Sequence, residues 1–292
     1  MRTLFSALSR GTESLVFAGA VPEGEWGRMR APMQEGDFPF PVKYGYQSVG
    51  RVVAGPHDML GRYVFALHPH QTLFDVSADS VTVVPAEIPA SRAVLAGNMQ
   101  TALTGLWDAR PAPGDHIAVV GGGVVGLLTA WLCAKIPATS VTLVDTNPER
   151  EQIARNLGLS FATPGSARGN NDLVIHASAC EAGLETALAL AGEEAAIVEM
   201  SWYGDRPVRI GLGGTFHSRR LRLIASQVGR IPDDHKTRWD FARRNETAMR
   251  LLDDPRLDDL LEEAIAFHDL PQRLPAIFKK DSGILCQLVE YG

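Results

Sequence analysis

Gly121-Gly122-Gly123, followed by Val124, Val125 and Gly126, stands directly after the apolar run Ile117-Ala118-Val119-Val120 and opens a second apolar segment over 127–134. Between a strand and a helix, Gly121 permits a tight turn, Gly123 lets the backbone approach a pyrophosphate, and Gly126 packs helix against strand. The amides of Gly123, Val124 and Val125 then face the phosphates of a dinucleotide, at a helix end that favours negative charge. An acidic residue should close the next strand and accept hydrogen bonds from the ribose hydroxyls about 20 positions on. Asp145, at the end of Ser140-Val141-Thr142-Leu143-Val144, meets that requirement. Its charge repels a 2′-phosphate, so NAD is expected over NADP, although Arg150 one turn later weakens the preference. A purely structural strand-to-helix glycine turn is the alternative.

The elements that must hold these residues follow from pattern. Strands and helices alternate from Asp115 to about Gly229: after Asp145 a helix over 148–157, a strand over 172–177, a helix over 183–191, a strand over 195–202 and a further strand over 221–225. That alternation predicts a doubly wound parallel sheet of the Rossmann type in an α/β chain. Residues 1–90 are rich in Gly and Pro with short β-type runs, which suggests a small barrel-like β domain. The N-terminal run 3–8 reads as a strand ending in a loop. Apolar residues at helical spacing over 91–108 predict a helix leading into the second domain, taken as 91–250. Residues 238–252 and 257–264 read as helical and 284–291 as a final strand, so that 251–292 returns to the first domain.

Composition narrows the function. The 292 residues are 45% hydrophobic and 21% charged with a net charge of −6, a globular balance without a basic surface for nucleic acid. Three cysteines, Cys133, Cys180 and Cys286, are too few and too scattered for a disulfide framework or a Cys-rich zinc lobe, and a reducing, cytoplasmic setting is expected. The apolar stretch 117–134 is long enough to suggest a membrane span. Its three successive glycines, each about 1 kcal/mol worse than alanine inside a helix, fit a strand–turn–helix instead, and no membrane is expected.

The order of β domain, helix, Rossmann unit and tail resembles the medium-chain dehydrogenase/reductase superfamily over essentially the whole chain. Ser6-Ala7-Leu8-Ser9-Arg10-Gly11-Thr12-Glu13 is similar to its Cys-Gly-Thr-Asp loop, with serine in the cysteine position and one extra residue. Gly45-Tyr46-Gln47-Ser48-Val49-Gly50 is similar to its Gly-His-Glu element. The serine-containing loop also resembles that of the zinc-alcohol-dehydrogenase-like group that includes bacteriochlorophyllide hydroxyethyl dehydrogenase. The resemblance implies a GroES-like β-barrel for the first domain. It also implies about two further strands before the catalytic loop. The chain begins later than that: either the barrel is shortened or the start was placed downstream, and an incomplete first domain with an exposed strand edge is expected.

By the same resemblance the activity is hydride transfer between NAD(H) and a small-molecule alcohol or carbonyl, at the carboxyl ends of the sheet facing the β domain. A catalytic zinc needs three protein ligands and an open position. Ser9 and Tyr46 replace Cys and His and are poor ligands, so no metal is expected. Tyr46, Ser9 and Thr12 occupy the positions nearest the substrate oxygen, with Tyr46 as donor or proton relay. Tyr46 as a packing aromatic, and Ser9 and Thr12 as turn residues, are the alternatives. Glu13 orients the turn or contributes acid–base chemistry. Ala177, Ser178 and Ser201 follow strands and are expected around ribose and nicotinamide. His68 and His70 flank Pro69 in a loop without an identifiable third metal ligand, and His176 reads as a buried, hydrogen-bonded histidine. Arg10, Arg28, Arg30 and Lys43 could meet an anionic substrate but more commonly lie in solvent. The resemblance allows a homodimer. A catalytically silent NAD-binding sensor or scaffold is the alternative function, and a methyltransferase, which shares the glycine turn and acidic strand end, is disfavoured by Gly126, the preceding β domain and the returning strand.

Overall fold

The computed structural model describes residues 1–292. In chain order its elements are β1 (Arg2–Leu8), α1 (Arg10–Phe17), β2 (Glu35–Gly36), β3 (Val42–Lys43), β4 (Ser48–Arg51), β5 (Tyr63–Ala66), β6 (Val81–Val83), α2 (Ala90–Ala93), α3 (Ala96–Ala109) and β7 (His116–Val120). There follow α4 (Val124–Cys133), β8 (Ser140–Val144), α5 (Arg150–Asn156), β9 (Ser160–Ala162), β10 (Asn171–His176), α6 (Glu181–Leu190), β11 (Ala191–Glu199) and β12 (Arg222–Ala225). The last are α7 (Phe241–Arg250), β13 (Leu261–Ala266), α8 (Leu270–Ile277) and β14 (Cys286–Glu290). They divide into two compact units, one of Met1–Gly97 with Phe241–Gly292 and one of Asn98–Asp240.

The Asn98–Asp240 unit holds six parallel strands in the order β12-β11-β10-β7-β8-β9. Order reverses between β7 and β10, the switch point at which open α/β sheets bind ligands. Ile117, Val119, Leu143, Val174, Ile175 and Ile197 are fully buried. This explains why the strands read as continuous apolar runs: helices cover both faces of a parallel sheet. The apolar stretch over 117–134 divides into β7 and α4 around the glycine turn. No helix is long and apolar enough to cross a membrane.

The other unit is a six-stranded mixed sheet in the order β13-β14-β1-β4-β5-β6, antiparallel except for β13 with β14. Its strands pair from one edge to the other without a closing pair between β13 and β6, so the expected barrel is an open sheet in its hydrogen bonding. β1 lies inside this sheet, between β14 and β4, and the edges are β13 and β6. The C-terminal segment is tied in by the β1–β14 ladder and by Arg92, whose Nε and Nη2 donate to the two carboxylate oxygens of Asp258 at 2.7 and 2.6 Å. Leu8, Val289, Leu270 and Ile277 form a local core, each such burial being worth about 1.5–3 kcal/mol.

Two local readings differ from the sequence expectation. The loop expected after residue 8 is helix α1, whose first turn is closed by the Ser9 carbonyl accepting from Glu13 N at 2.8 Å. The helix expected over 257–264 is a 3₁₀ turn over Pro255–Leu260 followed by β13. Asp254 caps the turn by accepting from Arg256 N, and pairing with β14 overrides the helical propensity of Leu261-Glu262-Glu263-Ala264.

Candidate functional site

The glycine turn has the geometry its sequence implies. Gly121 has φ +112°, and a Cβ there would lie 2.7 Å from Ser178 N and 2.8 Å from Ala177 C, so the turn after β7 packs directly on the loop after β10. A Cβ on Gly126 would fall 1.9 Å from the Gly121 carbonyl oxygen. Gly123 has open space where its Cβ would stand and is the N-cap of α4, without any side-chain cap. The start of α4 therefore has no side-chain cap and has open space at Gly123. Such uncapped amides at a helix start are the kind of group that can bind an anion.

Asp145 closes β8 half-buried. Its Oδ2 accepts from Gly122 N at 2.5 Å and its Oδ1 from Asn147 N at 2.7 Å, which aims the carboxylate at the turn. The buried stem of Arg150 converges on Gly122 from the other side, Cγ lying 3.1 Å from that residue's Cβ position.

Ala177, Ser178 and Ser201 all lie at the carboxyl ends of β10 and β11, in a polar network centred on a fully buried His176. His176 Nδ1 is 2.7 Å from Glu199 Oε2 and Nε2 is 2.6 Å from Ser178 Oγ, which in turn is 3.2 Å from Cys180 Sγ. Glu199 Oε1 accepts from Ser201 N at 2.8 Å, Oε2 accepts from the Tyr203 hydroxyl at 3.0 Å, and Ser201 Oγ accepts from Ala179 N at 3.0 Å. Burial raises the Glu199 carboxyl, but the hydrogen bonds and charge of His176 and the bonds from Ser201 outweigh it and hold the group below the ordinary range. Tyr203 is pushed up by burial and by the Glu199 charge. The network ties the loop after β10, which packs on the glycine turn, to the loop after β11.

In the other unit, Ser9, Thr12, Glu13 and Tyr46 are brought together. Ser9 N donates to Glu13 Oε1 at 2.8 Å. The Tyr46 hydroxyl is pushed up to about 12 by burial and by the Glu13 charge, while hydrogen bonds from Ser9 and Thr12 pull it down. Three residues that the motif reading left outside the site complete it. His70 Nε2 is 3.0 Å from Glu13 Oε2, Ser6 Oγ is 2.7 Å from His70 Nδ1, and the Tyr291 hydroxyl is 2.9 Å from Ser6 Oγ. Gly45, at φ +120°, admits the ring, since a Cβ there would lie 2.8 Å from His70 Cδ2.

His68, by contrast, stacks on Phe74 with centroids 3.5 Å apart and bonds the Pro69 carbonyl. The two histidines thus do separate things, and no group of three or more His, Cys, Asp or Glu is arranged to hold a metal ion. With hydroxyls at Ser9 and Tyr46, the residues present do not fit a catalytic zinc. Arg10 is spent on the carbonyls of Ile284, Lys279 and Lys280, and Arg28, Arg30 and Lys43 pair with Glu25, Asp37 and Glu35.

No family model matches the chain. The D-guloside 3-dehydrogenase of Escherichia coli K12 is 25% identical, over 93% of this chain and 86% of its own. Among solved structures, L-idonate 5-dehydrogenase from Escherichia coli K-12 superimposes with a TM-score of 0.75 at 14% identity, covering 99% of this chain and 90% of that one. An alcohol dehydrogenase from Escherichia coli CFT073, solved with NADH, gives 0.74 at 14% identity with the same coverage. The fold is that of these dehydrogenases, an α/β chain with a Rossmann-like parallel sheet and a second, mixed sheet.

Proposed function

We propose that this chain is an NAD(H)-dependent, zinc-independent oxidoreductase of the medium-chain dehydrogenase/reductase superfamily, interconverting a secondary alcohol of a sugar or polyol and the matching ketone. The observation that carries the reading is the uncapped helix start at Gly123, with open space where its Cβ would stand, at the switch point of the sheet and beside Asp145. The guloside and idonate dehydrogenases to which the chain is similar favour a polyhydroxylated substrate.

In this reading the amides of Gly123, Val124, Val125 and Gly126 hold the diphosphate, Asp145 accepts from the ribose hydroxyls, and Ala177, Ser178 and Ser201 border the nicotinamide ribose. When bound, the nicotinamide supplies the two-electron hydride chemistry. Tyr46 keeps its proton at neutral pH, its hydroxyl lying near 12. It therefore donates a hydrogen bond to the substrate oxygen, where charge develops, with Ser9 and Thr12 orienting the phenol. Glu13 fixes the turn that carries them, through Ser9 N.

Calorimetric titration with NADH and NADPH tests the cofactor, and turnover of glycosides, polyols and their ketones, followed by nicotinamide absorbance, tests the reaction. Absence of heat with either coenzyme overturns the proposal. Binding without turnover across the panel replaces it with the sensor reading.

A further inference from the structure

The loop after β10 carries a strained residue. Ala179 has φ +51°, the left-handed region that costs an L-residue with a side chain. Such a residue persists only where its surroundings over-determine it, and cases cluster at active sites and ligand clamps. Both backbone polar groups of Ala179 are tied to the loop after β11: its N donates to Ser201 Oγ at 3.0 Å, and its carbonyl accepts from Arg206 Nη2 at 3.3 Å. The residue before it, Ser178, has its backbone N 2.7 Å from the Cβ position of Gly121, itself at φ +112°. The strained loop therefore lies on the glycine turn and is held from the neighbouring strand end.

The Ser201 tie leads on to a carboxylate. Glu199 closes β11, and its carboxyl sits below the ordinary range, so it is ionised at neutral pH and only accepts. It takes three donors: Ser201 N–H on Oε1 at 2.8 Å, and His176 Nδ1 and the Tyr203 hydroxyl on Oε2 at 2.7 and 3.0 Å. His176 is fully buried and passes the connection on, its Nε2 standing 2.6 Å from Ser178 Oγ. Glu199 thus reaches the β10 loop by two routes, through Ser201 to Ala179 and through His176 to Ser178. An amide in its place has one acceptor oxygen and turns an N–H toward the remaining donors, so shape without charge does not serve all three.

We propose that Glu199 is a positioning residue for the nicotinamide half of the coenzyme. It sets the backbone of 177–179 and the Ser201 side chain before the coenzyme arrives, so that binding does not have to order them. The adenosine half rests instead on the start of α4 and on Asp145, and owes nothing to Glu199. The inference rests on the reading of the glycine turn as a nucleotide site.

The full chain is titrated by calorimetry at neutral pH with ADP, the half that Glu199 does not serve, and with NADH. Glu199→Gln is expected to bind NADH at least about tenfold more weakly than wild type, roughly 1.4 kcal/mol, and ADP with unchanged affinity. At saturation, the emission of NADH bound to this variant should move toward that of the free coenzyme, a change that lost stability alone does not produce. Tyr203→Phe deletes one of the three donors and keeps the ring. It should weaken NADH by a smaller factor with ADP again unaffected, and it decides the matter if Glu199→Gln does not fold. NADH affinity unchanged in the folded variants, or ADP and NADH weakened alike, overturns the inference and leaves the nucleotide reading intact. Wild type that binds neither ligand overturns that reading, and the inference falls with it.

Discussion

The backbone nitrogen of Ser178 lies 2.7 Å from where a Cβ on Gly121 would stand, so the turn after β7 and the loop after β10 touch without an intervening side chain. That contact draws the two central strand ends of the parallel sheet together around the space proposed for the nucleotide.

Two of the motif glycines should separate by experiment. Gly126→Ala places a methyl 1.9 Å from a backbone oxygen and should lower stability by about 1–3 kcal/mol. Gly123→Ala meets open space and should stay within about 0.5 kcal/mol of wild type while weakening NADH binding at least tenfold. Chemical denaturation and calorimetry on both variants measure the contrast; equal effects would mean that the turn serves packing alone.

Asp145→Ala removes the acceptor of Gly122 N and the charge that repels a 2′-phosphate. The NADH/NADPH affinity ratio is expected to fall about tenfold, or roughly 1.4 kcal/mol, with Arg150 left beside the site. Paired titrations with the two coenzymes give this ratio directly.

Tyr46→Phe keeps the ring and deletes the hydroxyl. Turnover on a found substrate should drop about 10²–10³-fold, the usual effect of losing one donor to a developing oxyanion, with nucleotide affinity unchanged. Unchanged turnover removes Tyr46 from the chemistry.

Glu199 is held below its ordinary range by His176 and Ser201, outweighing burial. Because the folded-state value is depressed, its contribution is present above the unfolded value of about 4.3 and is lost as pH falls through the folded one. Wild type should lose more stability than Glu199→Gln between pH 6 and pH 3, as urea midpoints at about those two pH values will show.

Burial pushes the thiols of Cys133 and Cys286 up to about 12, while Cys180 is half-buried beside Ser178. A maleimide should label Cys180 alone in the folded protein, as thiolate content and access control reactivity. Mass spectrometry before and after denaturation counts the adducts.

Five strands of the parallel sheet were legible because each is an apolar run bounded by turn residues, a pattern that local sequence carries by itself, whereas the three-residue β9 was not. The positions of the glycine turn and of Asp145 at the strand end were legible for the same reason, both being set by neighbours within about 20 positions. α1 was hidden because Arg10-Gly11-Thr12 resembles a turn until Ser9 and Glu13 close it. β13 was hidden because it exists only by pairing with β14. His70 lay in plain view as half of a His-Pro-His loop, yet its partners Ser6 and Glu13 are 64 and 57 positions away. Periodicity holds no trace of such contacts. A buried glutamate in a hydroxyl-rich loop was the usable signal, since such a carboxylate needs donors from somewhere.

The bond between Ser6 and Tyr291 spans 285 positions, and the β sheet it belongs to is interrupted by the whole of the Asn98–Asp240 unit. On the ribosome the contiguous unit can condense as soon as it emerges, domains generally folding as they are made. β1 must wait, with one flank unpaired, until Cys286–Glu290 has been translated. Slow elongation between the codons for β1 and β14 would therefore lengthen the time a nascent chain spends with β1 open to chaperones or to neighbouring chains.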